Sequence, residues 1–448
     1  MSKQRIQLSD HFTYPRLLRF VLPCIGTMLF TSIYGIVDGL CVSNFVGKTA
    51  FAAVNLIMPL PMLLGTIGFM LGTGGSAIVG ITLGEGDQKK ADRYFTLFLL
   101  AALISVSVLA VLGIVFLRPI AVLLGAKGEL LDYAVRYGRI LMVSLPTFAL
   151  QNMFQSFFVT AEKPHLGFWF TVGAGCTNMV LDVLMVGIWG WGVEGAAIAT
   201  FISQLVGGVL PVFYFIDRSN SSRLHLCKTS FYSKVLRDAC INGSSELMTN
   251  LSMSLVNILY NYQLLRLAGE NGVAAYGVIM YAAFLFVAVF VGYAVGSAPI
   301  VSFHYGARNH AEVHNLYRKS LRLIAVVAVT LTLASMFIIP CVARIFVGYD
   351  AELLALTSRA FRLYALSFLI MGFNVYASSF FTALGDGVTS ALISFLRTLA
   401  FQVIAILLLP LLLGIDGIWL AAAAELAALA VSAAMLLTKD KVFHYRKA

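Results

Sequence analysis

The chain has 448 residues, of which 60% are hydrophobic and only 12% charged, with a formal net charge of +10 and a mean hydropathy of +0.89. Soluble domains carry about 25% charged residues, so this composition excludes an ordinary water-soluble fold. The basic excess suggests nucleic acid only where it gathers on one soluble face, and here it is spread over short loops between apolar runs.

Apolar runs of about 20 residues are long enough to cross a bilayer, and twelve are predicted: roughly 15–43, 52–82, 94–117, 133–160, 166–189, 194–216, 236–265, 273–303, 320–343, 353–383, 388–412 and 416–437. The polar, basic stretch Met1–Arg19 leads straight into the first run with no small-residue cleavage site, so the first span is expected to act as its own insertion signal. Orientation follows Lys and Arg in short loops. One side carries 21 of them, including Lys3, Arg5, Lys89, Lys90, Arg218, Arg223, Arg308, Lys319, Lys439 and Lys447. The other side carries nine, among them Lys48, Arg136, Arg266 and Arg359. Both termini are therefore expected in the cytoplasm, in a multi-pass protein of the inner (cytoplasmic) membrane. The six cysteines are scattered without a CxxC pair, which predicts neither a disulfide framework nor a zinc site.

A shift of 222 residues lays the chain on itself. Ala52-Ala53 falls on Ala274-Ala275, Gly47 on Gly269, Gly84 on Gly306, Asn152 on Asn374, and Glu194 on Asp416. Each half then holds six helices, and an even count makes the repeats parallel, related by an axis along the membrane normal. The expected fold is an all-α integral membrane protein of twelve helices in two six-helix lobes: residues 1–216, a cytoplasmic linker 217–235, and residues 236–448.

Ionisable side chains within spans are costly and mark ion or substrate paths by default. Asp38 lies in the first run; Asn178 and Asp182 lie one turn apart in the fifth. Asp182 and Thr200 stand nine residues either side of Trp191, and Asp38 stands nine residues before Gly47. At 1.5 Å per residue all three fall roughly 13 Å below one membrane face. Asp38, Asn178, Asp182 and Thr200 thus predict an oxygen-lined cation site in the first lobe. Such a site suits a sodium ion, or a proton shared between two carboxylates. Pro23, 15 residues before Asp38, predicts a point where the first helix can bend. The second lobe has Ala400, Ile404, Ala422 and Tyr260 at the corresponding places. Its own polar residues are Glu246, Asn257, Asn374, Arg397, Gln402 and Glu425; of these, Glu246, Asn257, Asn374 and Arg397 are candidates to line a substrate cleft.

Val46-Gly-Lys-Thr49 lacks the first glycine of a phosphate-binding loop, since position 42 is valine, and no nucleotide-binding domain accompanies it. No cofactor is expected beyond the coupling ion. A membrane enzyme would show a cluster such as HExxH or GxSxG within a span, and neither occurs.

Five stretches in order resemble the multidrug and toxic compound extrusion (MATE) family over essentially the whole chain. They are Val37-Asp-Gly with Val46-Gly-Lys-Thr-Ala-Phe-Ala-Ala-Val54, Gly84-Glu-Gly-Asp87, Tyr137-Gly-Arg-Ile140, Gly192-Val-Glu-Gly-Ala-Ala-Ile-Ala-Thr200 and Gly417-Ile-Trp-Leu. The resemblance implies a two-lobe antiporter that exports amphipathic, often cationic compounds in exchange for sodium or protons. It assigns the cation site to Asp38, Asn178, Asp182 and Thr200, a supporting tyrosine to Tyr137 and the bending proline to Pro23. The chain departs from members with acids on the seventh and tenth helices: Glu246 comes about two turns early and the tenth helix has Asn374, so coupling is expected through the first lobe. The expected partners are a small amphipathic substrate and the bilayer, with a monomeric protein and no nucleic acid. The alternative within the superfamily is a flippase for a lipid-linked precursor, which would need a cationic cavity.

Overall fold

The computed structural model describes residues 6–46, 48–348 and 350–445; the side chains at 36, 38–44, 48, 51, 340, 342, 345, 346 and 421 lie outside that description. The described chain is helical, and twelve crossings account for it. They are α1 (Tyr14–Phe45), α2 (Lys48–Ile57 and Pro59–Gly84), α3 (Gln88–Leu123), α4 (Glu129–Thr160), α5 (Pro164–Asp182, extended by a π turn Val183–Ile188) and α6 (Gly192–Gln204, a π turn Leu205–Val209, and Leu210–Ile216). The second six are α7 (233–268) and α8 (270–306), α9 (His310–Val347), α10 (Ala351–Ala365 and Phe368–Ala383), α11 (Gly387–Phe395, a π turn Leu396–Ala400, and Phe401–Leu413) and α12 (Ile415–Trp419 and Ala421–Thr438).

α7 and α8 form one helical stretch, Ser233–Gly306, interrupted at Gly269 with φ 60° and ψ −151°. A straight helix would hold Tyr260 and Tyr276 about 24 Å apart. Their rings instead stack 4.8 Å apart, so the chain folds back at Gly269. Nine described helices are long and apolar enough to cross a membrane, or ten if the 45° bend within α10 joins one span. The count falls short of twelve because Ser233–Gly306 crosses twice and because Gln151, Asn152 and Gln155 dilute the apolar stretch of α4.

Long helices in lipid turn apolar side chains outward, since hydrocarbon is their solvent. Along α3, Ile104, Val108, Val111 and Val115 recur at three- and four-residue spacing and are all exposed. Small residues, by contrast, mark where helices meet.

The lobes meet through glycines that repeat the 222-residue offset. A Cβ on Gly84 would lie 2.0 Å from the Phe303 carbonyl oxygen, and one on Gly306 would lie 2.0 Å from that of Ile81. Gly84 corresponds to Gly306 and Ile81 to Phe303, so this α2–α8 contact sits on the pseudo-two-fold axis. Farther along, Gly74 of α2 lies against Gly243 of α7, and its equivalent Gly296 of α8 lies against Val21 of α1, a second pair of matching contacts. Capping repeats as well: Asp87 accepts from the Lys90 amide at the start of α3 and Asn309 from the Glu312 amide at the start of α9. The Lys90 amide, followed by its ammonium, holds the Asp87 carboxyl below the ordinary aspartate value. On the far side, Arg136 pairs with Glu194 in one lobe as Arg359 pairs with Asp416 in the other.

One face carries both ends of the described chain, together with the α2–α3, α4–α5 and α8–α9 links and the linker. The linker binds α3 through His225 N to Asp92 and Cys227 N to Thr96 Oγ1. Across this terminal face runs the segment before α1. Leu8 N donates to Glu162 Oε1 of the first half at 2.9 Å, and Phe12 N donates to Glu312 Oε1 of the second half at 2.8 Å. Arg223 also meets Glu162, His11 meets Glu312 Oε2, and Leu8 and Phe12 are fully buried. The segment is a strap across the junction of the halves. Hydrogen bonds to charged acceptors contribute about 1.5–3 kcal/mol each. Glu162→Ala is therefore expected to speed hydrogen exchange at the Leu8 amide by roughly 10–100-fold, read by mass spectrometry. Unchanged exchange there would show that the strap is held by packing alone.

Candidate functional site

α1 and α5 run side by side in the same direction. A Cβ on Gly26 would meet Phe168, one on Gly175 would meet Phe30, and one on Gly187 would meet Phe45. Interpolating this register sets the backbone of position 38 level with positions 181–182. Asp38 itself has its side chain outside the described residues, so only its height is given. α5 and α6 are antiparallel: a Cβ on Gly195 would lie 3.2 Å from the Met185 backbone, which sets Asp182 level with position 198. Thr200 is then about 3 Å deeper, two residues along α6.

Asp182 is fully buried and Asn178, one turn away on the same face, is 2% exposed. Asn178 Nδ2 has no hydrogen-bond partner among the described residues. Thr200 is half-buried, and its hydroxyl donates to the Ala196 carbonyl within α6, leaving its lone pairs available as a ligand. Immediately after Asp182 the helix widens into the π turn Val183–Ile188. Such turns are rare, and they collect at functional sites because the extra residue frees backbone groups and re-aims side chains. A buried acid with a buried amide one helical turn away provides the oxygens that a hard cation or a proton requires.

The two supporting residues lie apart from this pair. Tyr137 is 1% exposed, packs with Val186, Val193 and Ala197, and gives its hydroxyl to Met58 Sδ. α1 passes unbroken through Pro23, whose carbonyl takes the Thr27 hydroxyl.

In the second lobe the four cleft candidates lie in different surroundings. Asn374 of α10 is fully buried. It donates to Glu425 Oε2 of α12 at 2.7 Å and to the Glu425 carbonyl at 2.9 Å, and accepts from Ser432 at 3.0 Å. Arg397 sits in the π turn of α11 with NH1 3.7 Å from Glu425 Oε1, the two side chains 12% and 2% exposed. Glu246 of α7 is half-buried within electrostatic range of Arg397. Asn257 is exposed and accepts from Asn261 one turn on. Sequence reasoning noted Glu425 as polar without giving it a role. The usable signal was Glu425 and Ser432 seven residues apart, one polar edge on an otherwise apolar helix.

The MatE family profile matches residues 23–184 and again 247–408, once in each half. Multidrug export protein MepA of Staphylococcus aureus strain MSSA476 is 21% identical over 432 residues, covering 96% of this chain and 95% of the relative. The protein of the same name from Staphylococcus saprophyticus is 21% identical over 408 residues, covering 90% and 87%. Among solved structures, the outward-facing conformation of a multidrug resistance MATE family transporter of the MOP superfamily superposes with a TM-score of 0.91 at 23% identity, over 100% of both chains.

Proposed function

The chain belongs to the MatE family, and on that premise we propose that it is a secondary antiporter exporting amphipathic, cationic organic compounds in exchange for sodium ions or protons. The observation that carries the reading is Asp182, fully buried beside Asn178, level with position 38 and followed by a π turn. Two carboxylates at one depth repel each other, and a bound cation or proton relieves that repulsion. An occupant that fits one arrangement of the lobes better than the other shifts the equilibrium between them by its difference in affinity.

The units that move are residues 1–216 and 236–448, joined by the linker 217–235. The terminal face is cytoplasmic, supported by its excess of Lys and Arg. The strap and the glycine contacts join the lobes on that face, and on this reading cargo leaves and the coupling ion enters at the other side. Asp38, Asn178, Asp182 and Thr200 hold the ion, Tyr137 braces α4 beside it, and Pro23 gives α1 a place to bend. Glu246 and Arg397 reach the cargo side of the second lobe, Asn374 acts behind them, and Asn257 borders the outer entrance. The protein works as a monomer in the inner membrane, without a cofactor and without nucleic acid.

The test is transport by protein reconstituted in vesicles, with sodium and proton gradients imposed separately. Efflux is expected without ATP, and it should collapse when the coupling gradient is dissipated. Efflux that needs ATP and ignores both gradients would overturn the reading.

A further inference from the structure

α1 and α5 part at the end of their seam nearest the terminal face. A groove of about 500 Å³ opens there, walled by Leu18, Leu22, Gly26 and Phe168 and rimmed by Arg19 and His165. That volume lies within the range of about 300–1,000 Å³ found for small-molecule sites. The second lobe has no such gap at the equivalent place. The 222-residue shift lays Arg19 on Ile241, Phe20 on Asn242 and His165 on Gly387. A Cβ on Gly387 would fall 2.2 Å from the Asn242 Cα and 2.5 Å from the Ile241 carbonyl oxygen, so α7 and α11 touch backbone to backbone there. The first lobe has a bulky imidazole where the second has no side chain, and the seam stays open.

The groove faces lipid. Leu22 is 57% exposed, and Trp169, one turn on from His165, is 64% exposed. Tryptophan favours the boundary between headgroups and tails. Arg19 lies in the second turn of α1 and His165 in the first turn of α5, so both stand at that boundary with the apolar wall deeper. Neighbouring charges are already engaged. Arg16 lies 3.8 Å from Asp10, Lys163 Nζ donates to Ser221 Oγ at 2.7 Å, and Glu162 takes Arg223 and the Leu8 amide. Arg19 and His165 have no hydrogen-bond or ion-pair partner among the described residues.

We propose that this groove binds one anionic phospholipid from the leaflet at the terminal face, with Arg19 and His165 on its phosphate and an acyl chain along Leu22, Gly26 and Phe168. A guanidinium offers two parallel N–H groups to two phosphate oxygens. An imidazole donates at least one N–H, charged or neutral. No carboxylate lines the groove, so the ammonium of a zwitterionic headgroup finds no partner, which selects a lipid whose net charge is negative. Basic pockets between membrane helices hold anionic headgroups in this manner. The assignment rests on the membrane setting of the chain and not on the antiport reading.

Native mass spectrometry of the intact protein in detergent tests it, with phosphatidylglycerol and phosphatidylethanolamine of identical acyl chains added in turn. The wild type should retain one phosphatidylglycerol in preference to phosphatidylethanolamine. Arg19→Gln should weaken that first binding event about fivefold, the effect of one basic residue beside an anionic headgroup. Arg19→Lys should keep most of the binding, which separates lost charge from a lost fold. Leu22→Trp, at an exposed position that tolerates size, should fill the groove and weaken binding with both basic groups intact. Lys89→Gln removes an exposed charge on the same face outside the groove and should change nothing. Equal retention of the two lipids by the wild type would mean ordinary boundary lipid and overturn the proposal. So would equal losses in Arg19→Gln and Lys89→Gln, which would reflect overall charge. Displacement of the lipid by millimolar inorganic phosphate would make this a site for free anions and overturn the lipid assignment.

Discussion

Asp182→Asn is expected to abolish ion-driven efflux while leaving the protein folded and inserted. Asparagine matches aspartate in size, so α5 keeps its packing at a fully buried position, and only the charge is lost. Coupling free energies between ligands are typically about 1–3 kcal/mol, or roughly 5–150-fold in equilibrium constant. Removing the charge that attracts the ion removes that linkage, and gradient-driven efflux should fall by on the order of a hundredfold. Asp38→Asn should behave alike, because the α1–α5 register gives its backbone the same height. Dye efflux from vesicles under an imposed gradient measures the effect, and a thermal shift assay checks the fold. Wild-type efflux by both variants would remove the first-lobe site from the mechanism.

The second large effect is steric. Gly306→Val should prevent the terminal face from closing and hold the lobes apart there. An exposed helical glycine normally gains about 1 kcal/mol on becoming alanine. At Gly306 the sign reverses, because the new Cβ would fall 2.0 Å from the Ile81 carbonyl oxygen, a backbone atom that cannot turn aside. Overpacking ordinarily costs about 1–3 kcal/mol, and 3 kcal/mol shifts a two-state balance by roughly 150-fold. Gly84→Val, its repeat mate, should do the same against Phe303. Gly277→Ala serves as the control, since a Cβ there meets nothing within 4 Å. Spin labels on the terminal ends of α2 and α8 should report a longer distance in the two valine variants alone. An unchanged distance would mean that the glycine contacts are incidental to closure.

The strap and the second-lobe cluster show what a linear reading misses. The segment before α1 looked like a basic tail, yet Leu8 and Phe12 are buried and their amides end on acids 154 and 300 residues away. No local pattern marks such a contact, because it exists only once the two halves have come together. Asn374 stood among the cleft candidates as a polar residue in a span. Its depth against α12, and Glu425 as its partner, are set by how α10 and α12 pack.

Periodicity and composition alone determined the twelve crossings and the two-fold repeat, because helix rise is constant and lipid demands long apolar runs. The 222-residue offset recurs in the contacts between the lobes, Gly84 against Phe303 and Gly306 against Ile81, since equivalent segments related by a pseudo-axis make equivalent contacts. Tertiary structure decided the rest: which segments join the lobes on the terminal face, which donors hold Glu425, and where π turns widen α5, α6 and α11. Those depend on side chains from distant segments competing for one buried volume, and the energy of that competition is written in distances that no single stretch of sequence contains.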